Sequence, residues 1–194
     1  MLNLIIFGPP GSGKGTQAKL IESEYDLLHI STGEILRKEI SLQSELGQEV
    51  EKFVKNGLLV PDELMSAVLK KDLSEKINLK KGFILDGFPR NKEQALILEE
   101  IFADLKIKVD LAIDLTANDE ELIKRLVLRG KLSGRADDKE DIIKDRLKIY
   151  HKNIKDLIDF YASQNKLLRI NGEGSPEDIF SRIKSTLNEH KKTD

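Results

Sequence analysis

The chain's 194 residues suffice for one substantial core and fall short of two generous domains. Its 32 basic and 34 acidic side chains nearly cancel to a net charge of −2, which removes any bulk electrostatic pull toward nucleic acid or an anionic membrane surface. Aromatic residues make up 5%, too few for a base-stacking platform, and there is no cysteine, which excludes disulfides and thiolate metal sites and fits a reducing, cytoplasmic setting.

The first apolar run, Leu2–Phe7, is too short to span a membrane and lacks the basic start of a signal peptide, so it reads as a buried strand. Directly after it, "GPPGSGKGTQ" (residues 8–17) turns and then carries a lysine and a threonine into a helix predicted from Lys14 to about Glu24. A glycine-rich turn between a strand and a helix aims several backbone N–H groups and the positive end of the helix dipole at one spot, which suits a phosphate. Gly8, Gly13 and Lys14 have Walker A spacing, but Gly15 stands where the strict pattern wants serine or threonine, and Thr16 follows one place later. The physical parts are there: backbone donors, an ammonium able to reach β- and γ-phosphates, and a hydroxyl near the helix start. A flexible turn without a ligand is the blander alternative, and it leaves the many small residues unexplained.

A weaker strand is expected at Leu27–Ile30, then one at Gly82–Leu85 inside "GFILDGFPR" (residues 82–90). An apolar strand ending in Asp86 has the form of a Walker B element, whose carboxylate sits near a magnesium ion and its waters. A turn-forming aspartate before Gly87 explains the same letters. Asp110 and Asp114, in the next strand candidate Val109–Leu115, compete for that role, but their apolar neighbours point to strand-end solvation and a structural part. Asn118 with Glu121 resembles a capping box, Leu167–Ile170 is the last strand candidate, and Ser175-Pro176-Glu177-Asp178 offers an N-cap, a first-turn proline and first-turn acids. Short apolar runs alternating with amphipathic segments predict an α/β fold with a mostly parallel sheet, whose ligands sit beyond the carboxyl ends of the strands. No repeat or low-complexity segment is visible, and "EHKKTD" reads as a frayed end.

At "GPPGSGKGTQ", "STGEILR", "DGFPR" and "SGRADD" the sequence closely resembles the adenylate kinases, within the nucleoside monophosphate kinases. The resemblance runs through nearly the whole chain in order and spacing, and the Lys-Gly-Thr end of the loop is this family's version of Walker A. It implies a P-loop NTPase-like fold in one domain, residues 1–194: a five-stranded parallel sheet flanked by helices. Two mobile excursions are implied, an AMP-binding segment at residues 31–60 and a short lid at residues 128–138. The implied reaction is reversible, magnesium-dependent phosphoryl transfer from ATP to AMP giving two ADP, serving adenine nucleotide homeostasis and AMP salvage. The implied protein is a cytoplasmic monomer with no nucleic-acid or membrane partner. Holding two anionic substrates in line while excluding water from the transferred group requires segments that open and close.

Such a site needs positive charge where negative charge crowds. Arg37, Arg90, Arg125, Arg129, Arg135 and Arg146 fit that need, since a guanidinium holds two phosphate oxygens in a fixed fork. Arg125 and Arg129, four apart in "KRLVLRG", share one helix face. Solvated helix faces and surface ion pairs are the blander reading in a chain this charged. The resemblance places Arg37, Arg90, Arg135 and Arg146 around the acceptor and transferred phosphates, Arg129 on the ATP phosphates and Arg125 against the ATP adenine. It makes Lys14, Arg90, Arg129, Arg135 and Arg146 the catalytic set. Gly11, Ser12, Gly13, Lys14, Gly15 and Thr16 are implied to hold ATP, with a backbone contact from Gly174 to its base, and Asp86 to bind magnesium through water. On the acceptor side it implies Thr32 and Gln94 against the AMP adenine, with Gly33, Leu58, Leu59, Val60, Gly87, Phe88 and Pro89 shaping the pocket. Taken alone, Gln94 reads as a surface helix residue.

Glu34 stands where the family usually has aspartate, in the water network around magnesium. The short lid has no room for the cysteine-bound zinc of some bacterial relatives, so no structural zinc is expected. Asp137 and Asp138 either position lid arginines or cap the following helix. His29, His151 and His190 are scattered and read as structural or exposed. The nearest rival is a UMP/CMP kinase, which tends to carry alanine at the Thr32 position and asparagine at the Gln94 position; both residues here favour adenine. A GTPase-like switch is the rival from another class. The sequence has no Asn-Lys-x-Asp guanine-reading motif, and a switch has no use for two arginine clusters facing a second nucleotide.

Overall fold

The computed structural model describes residues 2–76 and 80–190. Five strands, β1 (Leu2–Phe7), β2 (Leu28–Ser31), β3 (Gly82–Asp86), β4 (Leu111–Thr116) and β5 (Leu167–Asn171), form one sheet in the order β2-β3-β1-β4-β5. Every neighbouring pair is parallel. The helices are α1 (Lys14–Tyr25), α2 (Thr32–Ser41), α3 (Glu45–Lys55), α4 (Asp62–Lys76), α5 (Lys92–Asp104), α6 (Asp119–Ser133), α7 (Glu140–Ser163) and α8 (Pro176–His190), with a 3-10 turn at Ala136–Asp138 before α7.

The central strands are apolar on both faces because helices cover both. Side chains alternate across the sheet, so β1 sends Ile5 and Phe7 to one layer and Leu4 and Ile6 to the other. The first layer is closed by Val50 of α3, Leu69 of α4, Leu98 of α5 and Leu157 of α7. The second is closed by Ala18 and Ile21 of α1 and by Ile179, Ile183 and Leu187 of α8. A smaller cluster of Leu122, Leu126, Ile143 and Leu147 ties α6 to α7 on either side of the 3-10 turn.

Local signals account for several of the helix starts. Asn118 Oδ1 accepts the Glu121 N–H at 2.9 Å. The return bond to the Asn118 N–H comes from Glu173 at 3.1 Å, because Glu121 turns to Arg125 instead. At α8 the exchange is reciprocal: Ser175 Oγ accepts from the Asp178 N–H at 3.1 Å, and Asp178 Oδ2 accepts from the Ser175 N–H at 3.3 Å. That helix runs through Glu189 and His190, and the rest of the expected frayed tail, 191–194, lies outside the described residues.

Two expectations change. The fourth strand begins at Leu111, not Val109: the Asp110 N–H still bonds the Asn3 carbonyl at 2.9 Å, but Asn3 gives its own N–H to the Asp110 carboxylate (2.7 Å) and not to a main-chain carbonyl. Asp114 is not solvated at a strand end. It is fully buried within β4, with Oδ2 accepting from Arg169 Nε at 3.2 Å and Oδ1 without a hydrogen-bond partner. Burial pushes its carboxyl above the usual range, against the opposing pull of Arg169.

Candidate active site

The β1–α1 turn lies at the carboxyl edge of the sheet. Gly8 has φ 147°, and a Cβ there would sit 2.4 Å from the Leu115 carbonyl oxygen, so the loop can press against β4 only as glycine. Gly13, at φ 92°, is the N-cap of α1 and makes no side-chain cap bond, which leaves the helix's first N–H groups to a ligand. The Lys14 ammonium folds back onto the Gly8 and Pro9 carbonyls, 2.9 Å from each. Enclosure by protein lowers its pKa from 10.5 to about 8; Asp86 opposes that shift, while Arg90, Arg146 and Arg129 add to it.

Asp86 closes β3 at 9% exposure. Its Oδ2 lies 3.5 Å from Ser31 Oγ and 3.9 Å from His29 Nε2, and the Gly15 backbone passes close by. His29 is therefore not scattered: its buried Nε2, without a hydrogen-bond partner, faces the carboxylate. Beside that imidazole nitrogen the groups near Asp86 are oxygens, with Thr16, Ser31 and Glu34 on the same cavity wall, and Glu34 is 3.7 Å from Lys19. Hard oxygen donors with room for water are the set that suits magnesium.

Arg37, Arg90, Arg125, Arg129, Arg135 and Arg146 all line one cavity of about 690 Å³ together with Lys14 and Asp86. Arg129 is gripped by Asp138, Arg146 pairs with both Asp137 (2.8 Å) and Asp138 (3.1 Å), and Arg125 pairs with Glu121 and donates to the Gly172 carbonyl at 2.9 Å. Arg37, Arg90 and Arg135 make no ion pair with any carboxylate among the described residues. Burial lowers the pKa of Arg37, Arg90 and Arg146, and the nearby cations Arg135, Arg146 and Arg129, respectively, lower it further. Cations that outnumber the acids paired with them make a place for polyanions. Solvated helix faces do not describe this arrangement.

A second cavity of about 60 Å³ adjoins the first, with Arg37, Arg90 and Arg146 on the wall of both. Thr32 and Gln94 line it, 1% and 2% exposed, with Leu58, Leu59, Val60 and Phe88 around them. Gln94 is thus buried rather than a surface residue. Gly33 and Gly87 border both cavities, while Gly11, Gly13, Gly15, Thr16 and Pro89 border the large one. Two sequence-predicted residues lie outside both: Ser12 is buried beneath the loop, and Gly174 sits beside Asp178 and Arg182.

The adenylate kinase family model matches residues 6–166. The chain belongs to the adenylate kinase family. It is 47% identical over 188 residues to a protein named adenylate kinase from Parabacteroides distasonis, covering 97% of this chain and 98% of that one. It is 43% identical over 192 residues to an adenylate kinase of Porphyromonas gingivalis (99% and 98% covered) and 44% identical over 187 residues to one of Leptospira biflexa (96% and 100%). Sequence reasoning missed Lys19, Tyr150 and Asn153, which also line the large cavity of this adenylate kinase family member. Tyr150 and Asn153 carry no local signal, since they sit in a long amphipathic helix like any half-buried residue.

Proposed function

We propose that the chain is an ATP:AMP phosphotransferase, reversibly moving a phosphoryl group from ATP to AMP to give two ADP. What supports this most is the convergence of six arginines and the loop lysine on one cavity, beside a second pocket that the polar side chains of Thr32 and Gln94 line. The N–H groups from Gly11 to Thr16 would cradle the ATP phosphates, and Lys14 would leave the Gly8 and Pro9 carbonyls for the β- and γ-oxygens. Arg129 would add charge to the same phosphates, and Arg125 would lie against the adenine. Arg37, Arg90, Arg135 and Arg146 would bind the acceptor phosphate and stabilise charge on the transferred group. Thr32 and Gln94 would read the AMP base, in a pocket shaped by Gly33, Leu58, Leu59, Val60, Gly87 and Phe88.

Asp86, with Thr16 on the same cavity wall, would hold magnesium through water, and the ion would supply positive charge to offset that of the phosphates. Residues 31–60 and 128–138 would close over the substrates and exclude water. We place this reaction in a cytoplasmic monomer. Among the described residues, no helix is long and apolar enough to cross a membrane.

The test is ADP formation from ATP with AMP, CMP, UMP and GMP in parallel. AMP-dependent ADP production is expected. Slow ATP hydrolysis with no acceptor dependence would favour the switch reading, and a pyrimidine preference the UMP/CMP one.

A further inference from the structure

Gln94 uses half of its hydrogen-bonding capacity inside the protein. Its Oε1 accepts the Arg90 N–H at 2.7 Å, and its Nε2 donates to Asp62 Oδ1 at 2.7 Å. A backbone N–H can only donate and a carboxylate can only accept, so these two partners fix which end of the amide is oxygen and which is nitrogen. Each end keeps one free position, an N–H and an oxygen lone pair, and Gln94 itself lines the small cavity. Asp62 opens α4, is half-buried, and is not among the residues on the cavity wall.

We infer that Asp62 is the positioning residue that makes this pocket read adenine, by pinning the Gln94 amide in one of its two orientations. The inference rests on the proposed AMP site. Adenine donates from its 6-amino group and accepts at an adjacent ring nitrogen, which matches one acceptor beside one donor. Hypoxanthine differs at that edge by accepting at position 6. A free glutamine can rotate its amide by half a turn and satisfy either base. A pinned one meets hypoxanthine with acceptor against acceptor, and a buried polar group left unpaired is what gives strong discrimination.

The measurement is kcat/KM for AMP and for inosine monophosphate at saturating ATP, in the wild type, Asp62→Ala, Asp62→Asn and Glu63→Ala. Asp62→Ala is expected to narrow the AMP:IMP ratio by roughly ten- to a hundredfold, the usual worth of a hydrogen bond to a charged group. The Arg90 N–H still resists the flip, so some preference survives. Asp62→Asn should narrow the ratio less, since its carbonyl can still accept. KM for ATP should hold, and Glu63→Ala, which removes the neighbouring first-turn acid, should leave the ratio alone. A purely structural Asp62 would lower the melting temperature and affect both acceptors equally. A ratio equal to the wild type's in Asp62→Ala overturns the inference, and Asp62→Leu, which fills the space without an acceptor, decides it if Asp62→Ala does not fold. Wild-type protein that forms no ADP from ATP and AMP overturns the AMP-site reading itself.

Discussion

Asp138 holds the guanidinium of Arg129 by two parallel hydrogen bonds, 2.6 Å from Nε and 2.7 Å from Nη2. Its side chain is wholly out of solvent and also reaches Arg146 Nη1 at 3.1 Å. One carboxylate therefore aims two arginines that arrive on different helices, α6 and α7. Capping is not its role, because Lys139 is the N-cap of α7 and that cap has no side-chain bond.

Asp138→Asn keeps the shape and removes the charge, leaving two guanidinium groups side by side with only Asp137 to offset them. Breaking a fully buried pair costs about 3–5 kcal/mol, and because Arg129 still reaches water the expected loss is nearer ~2 kcal/mol. Urea unfolding should show it as a lower midpoint. Turnover should fall by roughly tenfold or more as the arginines lose their aim. An unchanged midpoint with unchanged turnover would remove Asp138 from the site.

Lys14 titrates near pH 8 in the folded chain against 10.5 ordinarily. Between those values the unfolded chain binds more protons, so this group's contribution to stability rises with pH across that window. Phosphates favour the ammonium, so ATP binding above about pH 8 should take up a proton and weaken as pH rises, by up to about one log unit per pH unit. Calorimetric titration at about pH 9 in two buffers of different ionisation enthalpy measures the uptake. Lys14→Met should abolish it and cut turnover by about 10²-fold or more. Identical heats in the two buffers with the wild type would show that Lys14 binds no proton on loading.

Arg90 and Arg135 are expected to hold charge for a ligand rather than for the fold. Neither has a carboxylate partner among the described residues, and Arg90 Nε instead donates to the Gly87 carbonyl at 2.8 Å. Each Arg→Ala change should lower turnover by roughly 10²- to 10⁵-fold, spanning one oxyanion donor to an arginine finger. The melting temperature of the nucleotide-free variants should hold or rise, because a like charge leaves the cluster. A large fall in melting temperature with turnover retained would make both residues structural.

Where a feature has a local cause, the sequence shows it. The first strand, the glycine loop and α1 agree with the pattern to within one residue at the helix end, and the Ser175–Asp178 exchange follows from the letters alone. Asp114 is opaque for the opposite reason: a strand covered on both faces shows no polar alternation, so a buried acid looks the same as one at an end. Pairings across the fold are opaque too. Asp62 lies 32 residues from Gln94, and in "VPDEL" it reads only as a helix-start acid. His29 meets Asp86 because β2 and β3 are neighbours, an order that no local spacing encodes.

On the proposed AMP site, the small cavity is expected to decide which base is accepted. Gln94 offers it one donor and one acceptor, and Thr32 adds a methyl and a hydroxyl whose own bond runs to the Asp86 carbonyl at 3.3 Å. A site built around such bonds discriminates strongly, since a wrong base leaves buried polar groups unpaired. AMP should therefore be strongly preferred over CMP and UMP. Thr32→Ala with Gln94→Asn shortens the amide away from both Arg90 and Asp62 and removes the methyl and the hydroxyl together. That double variant should narrow the AMP preference while KM for ATP holds, because the loop and Arg129 lie across the arginine wall from the small cavity. Initial rates with AMP, CMP and UMP at saturating ATP measure both. An AMP preference unchanged in the double variant would place base choice on other residues, and a wild type that already favours pyrimidines would reverse the assignment of the pocket.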